Sequence, residues 1–265
     1  MCRFFAQFAD RPLSVEKLLV DDPHSLRRQS CGDLRGESHG DGWGIGYYRN
    51  GRPNVVRRPV AAGEDDEFLT AARQVRSRIV VAHVRQASVG TRSAENTHPF
   101  HHDRWLFAHN GTVTGFDQVV GFVRREVLSE LAQHVQGSTD SELVFYWLLS
   151  QIREAGLDQA ATPARLGALA RLVGDSIRRL AGWCAEADPS ETCRLNFLLT
   201  DGRQLVASRF RHSLHWRVEE SEGGRLAVIA SEPIGEGDWH EVPDETVLTV
   251  DSDIRLQHFK LKTQN

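Results

Sequence analysis

A cysteine at position 2 has more chemistry open to it than any other residue of this 265-residue chain. Once Met1 is removed, Cys2 carries a thiol and a free α-amine on one residue. An α-amine with a pKa of about 7.7–8.0 gives up its proton readily near neutral pH. It can then act as general base for its own side chain, directly or through a water. A thiol needs only modest activation, because a small part of it is already thiolate at pH 7. A second-position cysteine alone means little, since the chemistry requires partner groups.

Such partners are present in the sequence. Asn110-Gly111 follows the apolar run at residues 105–109, and the pair offers an amide N–H and a backbone N–H as donors to a developing oxyanion. The competing reading is a tight type I′ turn, which Asn-Gly also signals. Arg85, at the end of a Val/Ile-rich stretch, can bind a carboxylate through its planar fork, or serve in a surface ion pair. Asp140, three residues after Gly137, sits where a helix begins. It can pair with an ammonium group, or simply complement the helix dipole. Together the two charges would grip an amino-acid head group and leave a γ-amide to reach Cys2.

Other clusters carry less. Gly40, Gly42, Gly44 and Gly46 have neither the GxGxxG spacing nor a Walker lysine, so they point to close backbone packing near Trp43 rather than to a nucleotide. His39, His83, His98, His101, His102 and His109 have no metal-ligand spacing such as HExxH, and neither a metal nor a cofactor is expected. Cys31, Cys184 and Cys193 form no CxxC pair and read as inert buried thiols.

The elements that must position these residues follow from periodicity and punctuation. Strands are expected at residues 2–8, from the glycine segment into 48, at 53–60, 79–84 and 105–109. Asn50-Gly51 offers a hairpin turn. Residues 14–20 suggest a short helix, the stretch to 37 reads as irregular, and 64–77 has helical spacing. Amphipathic helices are expected over 115–135 and 139–155, the second opened by a capping box of Thr139 and Glu142. A third starts at Thr162-Pro163 and runs to 187. Strands return at 194–199, 204–210, 214–218, 226–230 and 246–250. Strands, then helices, then strands argue for an α+β layered fold in one domain over residues 1–265.

Composition excludes several classes. With 32 basic against 36 acidic residues the formal charge is −4, which gives no electrostatic case for nucleic acid or membrane partners. The arginines are scattered rather than blocked. The amino terminus lacks a signal-peptide pattern, and no stretch approaches the length of a membrane span. A cytoplasmic protein with reduced thiols is the expectation.

Taken as an ordered set, the motifs are recognisable. Met1-Cys2-Arg3, His39-Gly-Asp-Gly-Trp-Gly-Ile-Gly46, His83-Val-Arg-Gln-Ala-Ser88, Glu95-Asn-Thr-His-Pro-Phe100, His109-Asn-Gly111, Thr139-Asp-Ser-Glu142 and Ala230-Ser-Glu-Pro233 resemble the free-standing class II glutamine amidotransferases. The resemblance covers most of the chain. It implies the four-layer α-β-β-α sandwich of the N-terminal-nucleophile hydrolases. It further implies Cys2 as nucleophile, Asn110 and Gly111 as oxyanion hole, Arg85 for the substrate α-carboxylate and Asp140 for its α-amine. Ser88 would line the same pocket, and His98 falls in the family's Asn-Thr-His-Pro-Phe stretch, grouped with the substrate-binding residues.

Three activities are compatible with that set. The chain would hydrolyse a γ-glutamyl compound itself, as relatives in the ergothioneine pathway and in glutathione-degrading complexes do. Alternatively, it would release ammonia from glutamine for a synthase or peptidase partner subunit, since the resemblance leaves no room for a synthase domain within this chain. A third reading is a non-catalytic glutamyl-binding protein, which a Cys2→Ala variant would separate from the other two.

Overall fold

Alternation along the first strand sets the architecture. In β1 (Arg3–Ser14), Phe4, Ala6 and Phe8 face one way and Phe5 and Ala9 the other. The first set packs with Ala108, Leu198, Leu205, Ala207 and Leu248 in a layer between two sheets. The second set joins Leu19, Leu26, Trp43 and Phe68 beneath two helices. The computed structural model describes residues 2–158, 162–221 and 224–261, so the expected removal of Met1 lies outside the described residues.

The first sheet also contains β2 (Gly42–Arg49), β3 (Arg52–Arg58) and β4 (Arg76–Arg85). The second is built from β5 (Phe100–His102), β6 (Trp105–Thr112), β7 (Arg194–Thr200) and β8 (Leu205–Arg209). Later in the chain, β9 (His215–Ser221), β10 (Gly224–Ala230) and β11 (His240–Glu241) return to the first sheet. Strands β12 (Thr246–Val250) and β13 (Leu256–Lys260) complete the second. The strand orders are β11-β9-β10-β1-β4-β2-β3 and β13-β12-β8-β7-β6-β5. Every pairing is antiparallel.

The short helices α1 (Leu26–Cys31) and α2 (Asp66–Gln74) cover the outer face of the first sheet. On the other side, α3 (Phe116–Arg125), α4 (Ser129–Ala132), α5 (Asp140–Glu154) and α6 (Pro163–Ala187) lie over the second. Phe107, Phe197 and Val206 meet Phe145, Trp147, Leu148 and Ile177 there. Helix, sheet, sheet, helix is the expected four-layer order. No described helix is long and apolar enough to cross a membrane.

The structure corrects several local expectations. Residues 25–31, read as irregular, hold α1, whose N-cap Ser25 accepts from the Arg28 N–H. The expected helix over 115–135 is two helices, α3 and α4. Between them Glu126 accepts from the Trp147 indole N–H at 2.9 Å, and the Leu128 N–H goes to Ser150 Oγ at 2.9 Å. These tertiary bonds interrupt the helical ladder at residues 126–128. Strands β5, β11 and β13 were not anticipated, and each is an edge strand or next to one. The capping box forms by half: Thr139 Oγ1 accepts from Glu142 N at 3.2 Å, but the Glu142 carboxylate turns to the N–H groups of Gln136 and Gly137. Cys31 is exposed rather than buried, whereas Cys184 and Cys193 are buried as expected.

Other expectations stand. Asn50 and Gly51 take φ of 54° and 75° between paired Arg49 and Arg52, the geometry of a type I′ hairpin turn. The glycines of β2 mark close backbone approach. A Cβ on Gly44 would lie 2.1 Å from the His98 carbonyl oxygen, and one on Gly46 would lie 2.8 Å from Pro99 Cγ. The 97–99 segment therefore rides directly on β2, and no larger residue fits beneath it.

Candidate active site

Cys2 stands immediately before β1, at the centre of the first sheet. Its side chain is 7% exposed, and Sγ lies 3.4 Å from both the N–H and the C=O of Gln86, just past the end of β4. Burial pushes the thiol pKa up. The Gln86 N–H and the Arg85 charge oppose that shift, and Asp140 adds to it. Two of the expected head-group residues therefore lie close enough for their charges to act on the thiol. On the main chain, Arg3 Nη1 donates to the Cys2 carbonyl at 2.9 Å. Arg3 is buried and paired with Asp33 and Glu232, a network that ties the Cys2 backbone to the 33–39 loop.

Arg85 is buried, and its guanidinium is partly engaged. Nη1 donates to Thr91 O at 3.0 Å and Nη2 to Val89 O at 2.7 Å. It thus clamps the loop that follows β4 while keeping a cation beside the thiol. Burial pulls its pKa down, and Cys2, Asp41 and Asp140 push the other way. Asp41 braces the same loop by accepting from the Ala87 N–H at 2.8 Å and pairing with Arg92. On that loop Ser88 is exposed, with Oγ 3.2 Å from Thr112 Oγ1 at the end of β6.

Asn110 and Gly111 are not a turn. Strand β6 runs on through Thr112, pairing Asn110 with Asn196 and Gly111 with Leu195. Leu195 turns both its polar groups toward β8: its N–H goes to Phe210 O at 3.1 Å, and its C=O accepts from Ser208 Oγ at 2.9 Å. Gly111–Leu195 is therefore a non-hydrogen-bonded pair, and alternation sends the Gly111 N–H away from β7. On that side β5 pairs with β6 only as far as Phe107. The strand thus presents a backbone donor beyond the end of its neighbour. A Cβ on Gly111 would lie 1.8 Å from the Arg194 carbonyl oxygen, so glycine is required here.

Asp140, in the first turn of α5, is buried and held by backbone donors. The Val113 N–H reaches Oδ2 at 2.8 Å and the Ser141 N–H reaches Oδ1 at 2.7 Å. Behind it His109 contacts Arg194 O through Nε2 at 3.0 Å and Ser141 Oγ through Nδ1 at 2.9 Å. A carbonyl only accepts, so Nε2 carries the hydrogen. Burial lowers the His109 pKa, leaving a neutral ring with a bare Nδ1. The Ser141 hydroxyl has one hydrogen for two acceptors, His109 Nδ1 and Asp140 Oδ1 at 3.1 Å, and so links the two side chains. Asp140 is fixed in place with lone pairs to spare.

His98 is set back from this group. Its ring is buried, 4.2 Å from His83 and 4.6 Å from Phe100 between ring centroids. Burial holds both histidines neutral, His98 well below its ordinary value and His83 at about 3. No described hydrogen bond joins His98 to Cys2, Arg85, Asn110 or Asp140.

Sequence reasoning missed the residues that hold the others: Arg3, Asp41, Gln86, Ser141 and Ser231. All five lie inside motifs whose signal comes from a neighbouring residue, and Gln86 acts through its backbone, which no side-chain pattern reports. What the arrangement offers is a buried thiol, a nearby cation and anion, and an outward-facing backbone donor at Gly111 on a rigid strand. That set suits nucleophilic attack on an amide of an amino-acid-like molecule.

Comparison with known proteins agrees. The family model for glutamine amidotransferases class-II matches residues 20–219. The chain is 30% identical over 256 residues to γ-glutamyl-hercynylcysteine sulfoxide hydrolase of Mycobacterium tuberculosis, covering 94% of this chain and 93% of that protein. It is 29% identical over 299 residues to the probable glutamine amidotransferase DUG3 of Saccharomyces cerevisiae, covering 97% and 84%. Among solved structures, a glutamine aminotransferase class-II domain protein from Silicibacter pomeroyi superposes with a TM-score of 0.70 at 25% identity, covering 99% of this chain and 100% of that one. The glutamine phosphoribosylpyrophosphate amidotransferase of B. subtilis shares the fold over 50% of its length, with a TM-score of 0.62 at 16% identity. Family match, near full-length relatives and a common fold converge on one assignment: this enzyme chain belongs to the class II glutamine amidotransferases.

Proposed function

We propose that the protein hydrolyses a γ-glutamyl amide bond, with Cys2 as nucleophile and a γ-glutamyl thioester as intermediate. The observation that carries this reading is the thiol itself: buried just before the central strand, with Sγ 3.4 Å from the backbone N of Gln86, next to Arg85, and within reach of the Arg85 and Asp140 charges. Those charges are complementary to the α-carboxylate and α-amine of a glutamyl group. Arg85, with Ser88 beside it, takes the carboxylate, and Asp140 takes the ammonium. His98 supports the pocket wall through His83 rather than touching the substrate.

With Met1 removed, the Cys2 α-amine accepts the thiol proton, and the thiolate attacks the γ-carbonyl. The oxyanion meets the Asn110 amide and the Gly111 N–H. As the C–N bond breaks, the α-ammonium gives its proton to the leaving nitrogen. Water then attacks the thioester, regenerating the thiol and releasing glutamate. No cofactor takes part.

Hydrolysis is preferred over ammonia delivery because a relative matched over 93% of its own length is named a γ-glutamyl hydrolase. A cytoplasmic setting keeps the nucleophile reduced. The test compares wild type with Cys2→Ala on L-glutamine and γ-glutamyl-p-nitroanilide. Turnover by wild type and its loss in the variant are expected. Turnover that survives Cys2→Ala would refute the mechanism.

A further inference from the structure

Ser231 follows β10 and is fully buried against β1. Its N–H donates to Phe4 O at 3.1 Å, and its Oγ accepts from Phe4 N at 3.0 Å. It is thus pinned two residues beyond Cys2. The same Oγ lies 2.8 Å from Asn110 Nδ2, joining the two sheets next to the nucleophile. Asn110 is also fully buried, and its Oδ1 has no partner among the described residues.

A serine hydroxyl has one hydrogen and two acceptor sites, which makes the hydrogen-bond accounting at this contact restrictive. With Nδ2 toward Ser231, Oγ accepts from both Phe4 and Asn110, and its own hydrogen finds no acceptor among the described residues. Asn110 Oδ1 is then a buried acceptor with nothing donating to it. That oxygen would also repel a developing oxyanion. Rotating the amide by half a turn removes both faults. The Ser231 hydroxyl donates to Oδ1, the Phe4 N–H still donates to Oγ, and Nδ2 turns to where Oδ1 stood with its hydrogens unclaimed. Buried donors left open in this way are what a preorganised oxyanion site requires.

We infer that Ser231 is a positioning residue that locks the Asn110 amide with its NH2 toward the Cys2 thiol. The inference rests on the γ-glutamyl hydrolysis reading and adds the residue that orients its oxyanion donor. Ser231 touches no substrate; it acts through Asn110, and its hydroxyl specifies which end of the amide faces the reaction.

The test is a double-mutant cycle of Ser231→Ala and Asn110→Ala, with kcat and KM measured on L-glutamine and γ-glutamyl-p-nitroanilide. Ser231→Ala is expected to lower kcat about 10- to 100-fold with KM changed by less than about threefold, somewhat less than the ~10²–10³ loss of removing an oxyanion donor outright. In the Asn110→Ala background the same substitution is expected to have little further effect. Should Ser231→Ala fail to fold, Ser231→Cys keeps a small side chain with an S–H donor and carries the same cycle, with a smaller loss expected. An unchanged kcat, or an equal loss with and without Asn110, would overturn the role of Ser231 while Cys2-dependent turnover persists. Absence of any Cys2-dependent turnover in wild type would overturn the hydrolysis reading, and this inference with it.

Discussion

Cys2 Sγ sits 3.4 Å from both the N–H and the C=O of Gln86. The thiol donates to the carbonyl, and the thiolate accepts from the N–H, so the backbone of one residue serves both protonation states. Burial still dominates and raises the thiol pKa. Alkylation of Cys2 by iodoacetamide should therefore rise with pH through a midpoint above the ordinary thiol value of about 8.5. Arg85→Met removes a cation that favours the thiolate and should move the midpoint higher. Asp140→Asn removes an anion that disfavours it and should move the midpoint lower. The rate of alkylation against pH, read by mass spectrometry, checks both signs. Shifts in the same direction would contradict the charge arrangement.

Arg85→Lys should cost more than the retained charge suggests. A lysine cannot reproduce the fork that now reaches Thr91 O and Val89 O together. We expect kcat/KM on γ-glutamyl-p-nitroanilide to fall at least tenfold, or about 1.4 kcal/mol, mostly through KM. Near wild-type efficiency would remove Arg85 from the carboxylate role.

Ser141→Ala should loosen Asp140 by removing the hydroxyl that joins its helix turn to His109. One such hydrogen bond is worth about 1 kcal/mol net. KM for L-glutamine should rise about fivefold, with kcat little changed. For glutaramate, which lacks the α-amine, KM should not move. An equal rise for both compounds would mean that Asp140 does not read the amine.

Gly111→Ala should fail structurally as well as catalytically. The new methyl group would meet the Arg194 carbonyl oxygen at 1.8 Å, a backbone atom within a paired strand. Overpacking of this kind costs about 1–3 kcal/mol. Thermal denaturation should show a lowered Tm together with lost turnover. An unchanged Tm would mean that β6 and β7 can separate at this point.

Much of this was legible in the sequence, because the strongest signals were local. Thr162 caps α6 by accepting from the Arg165 N–H, the Asn50-Gly51 hairpin forms, and alternation in β1 divides its side chains between two layers. What was not legible depends on pairing across long stretches of chain. Asn110-Gly111 carries a turn signal, yet β7, more than eighty residues later, extends the strand through it. The break between α3 and α4 comes from Trp147 and Ser150 on another helix. The candidate site divides the same way. Cys2, Arg85, Asn110, Gly111 and Asp140 announce themselves by residue type. Ser231, Ser141 and Asp41 matter only for what they touch, which no spacing along the chain reveals.

The central claim is that Cys2 is a free N-terminal nucleophile facing a glutamyl pocket. The most direct measurement is the intact mass of the purified protein before and after exposure to a γ-glutamyl analogue with an electrophile at the amide carbon's position. Loss of Met1 and a single adduct, mapped to Cys2 by peptide sequencing and absent from Cys2→Ala, is the result expected. A protein that has lost Met1 yet takes no adduct, or takes it on Cys31 instead, would contradict the account.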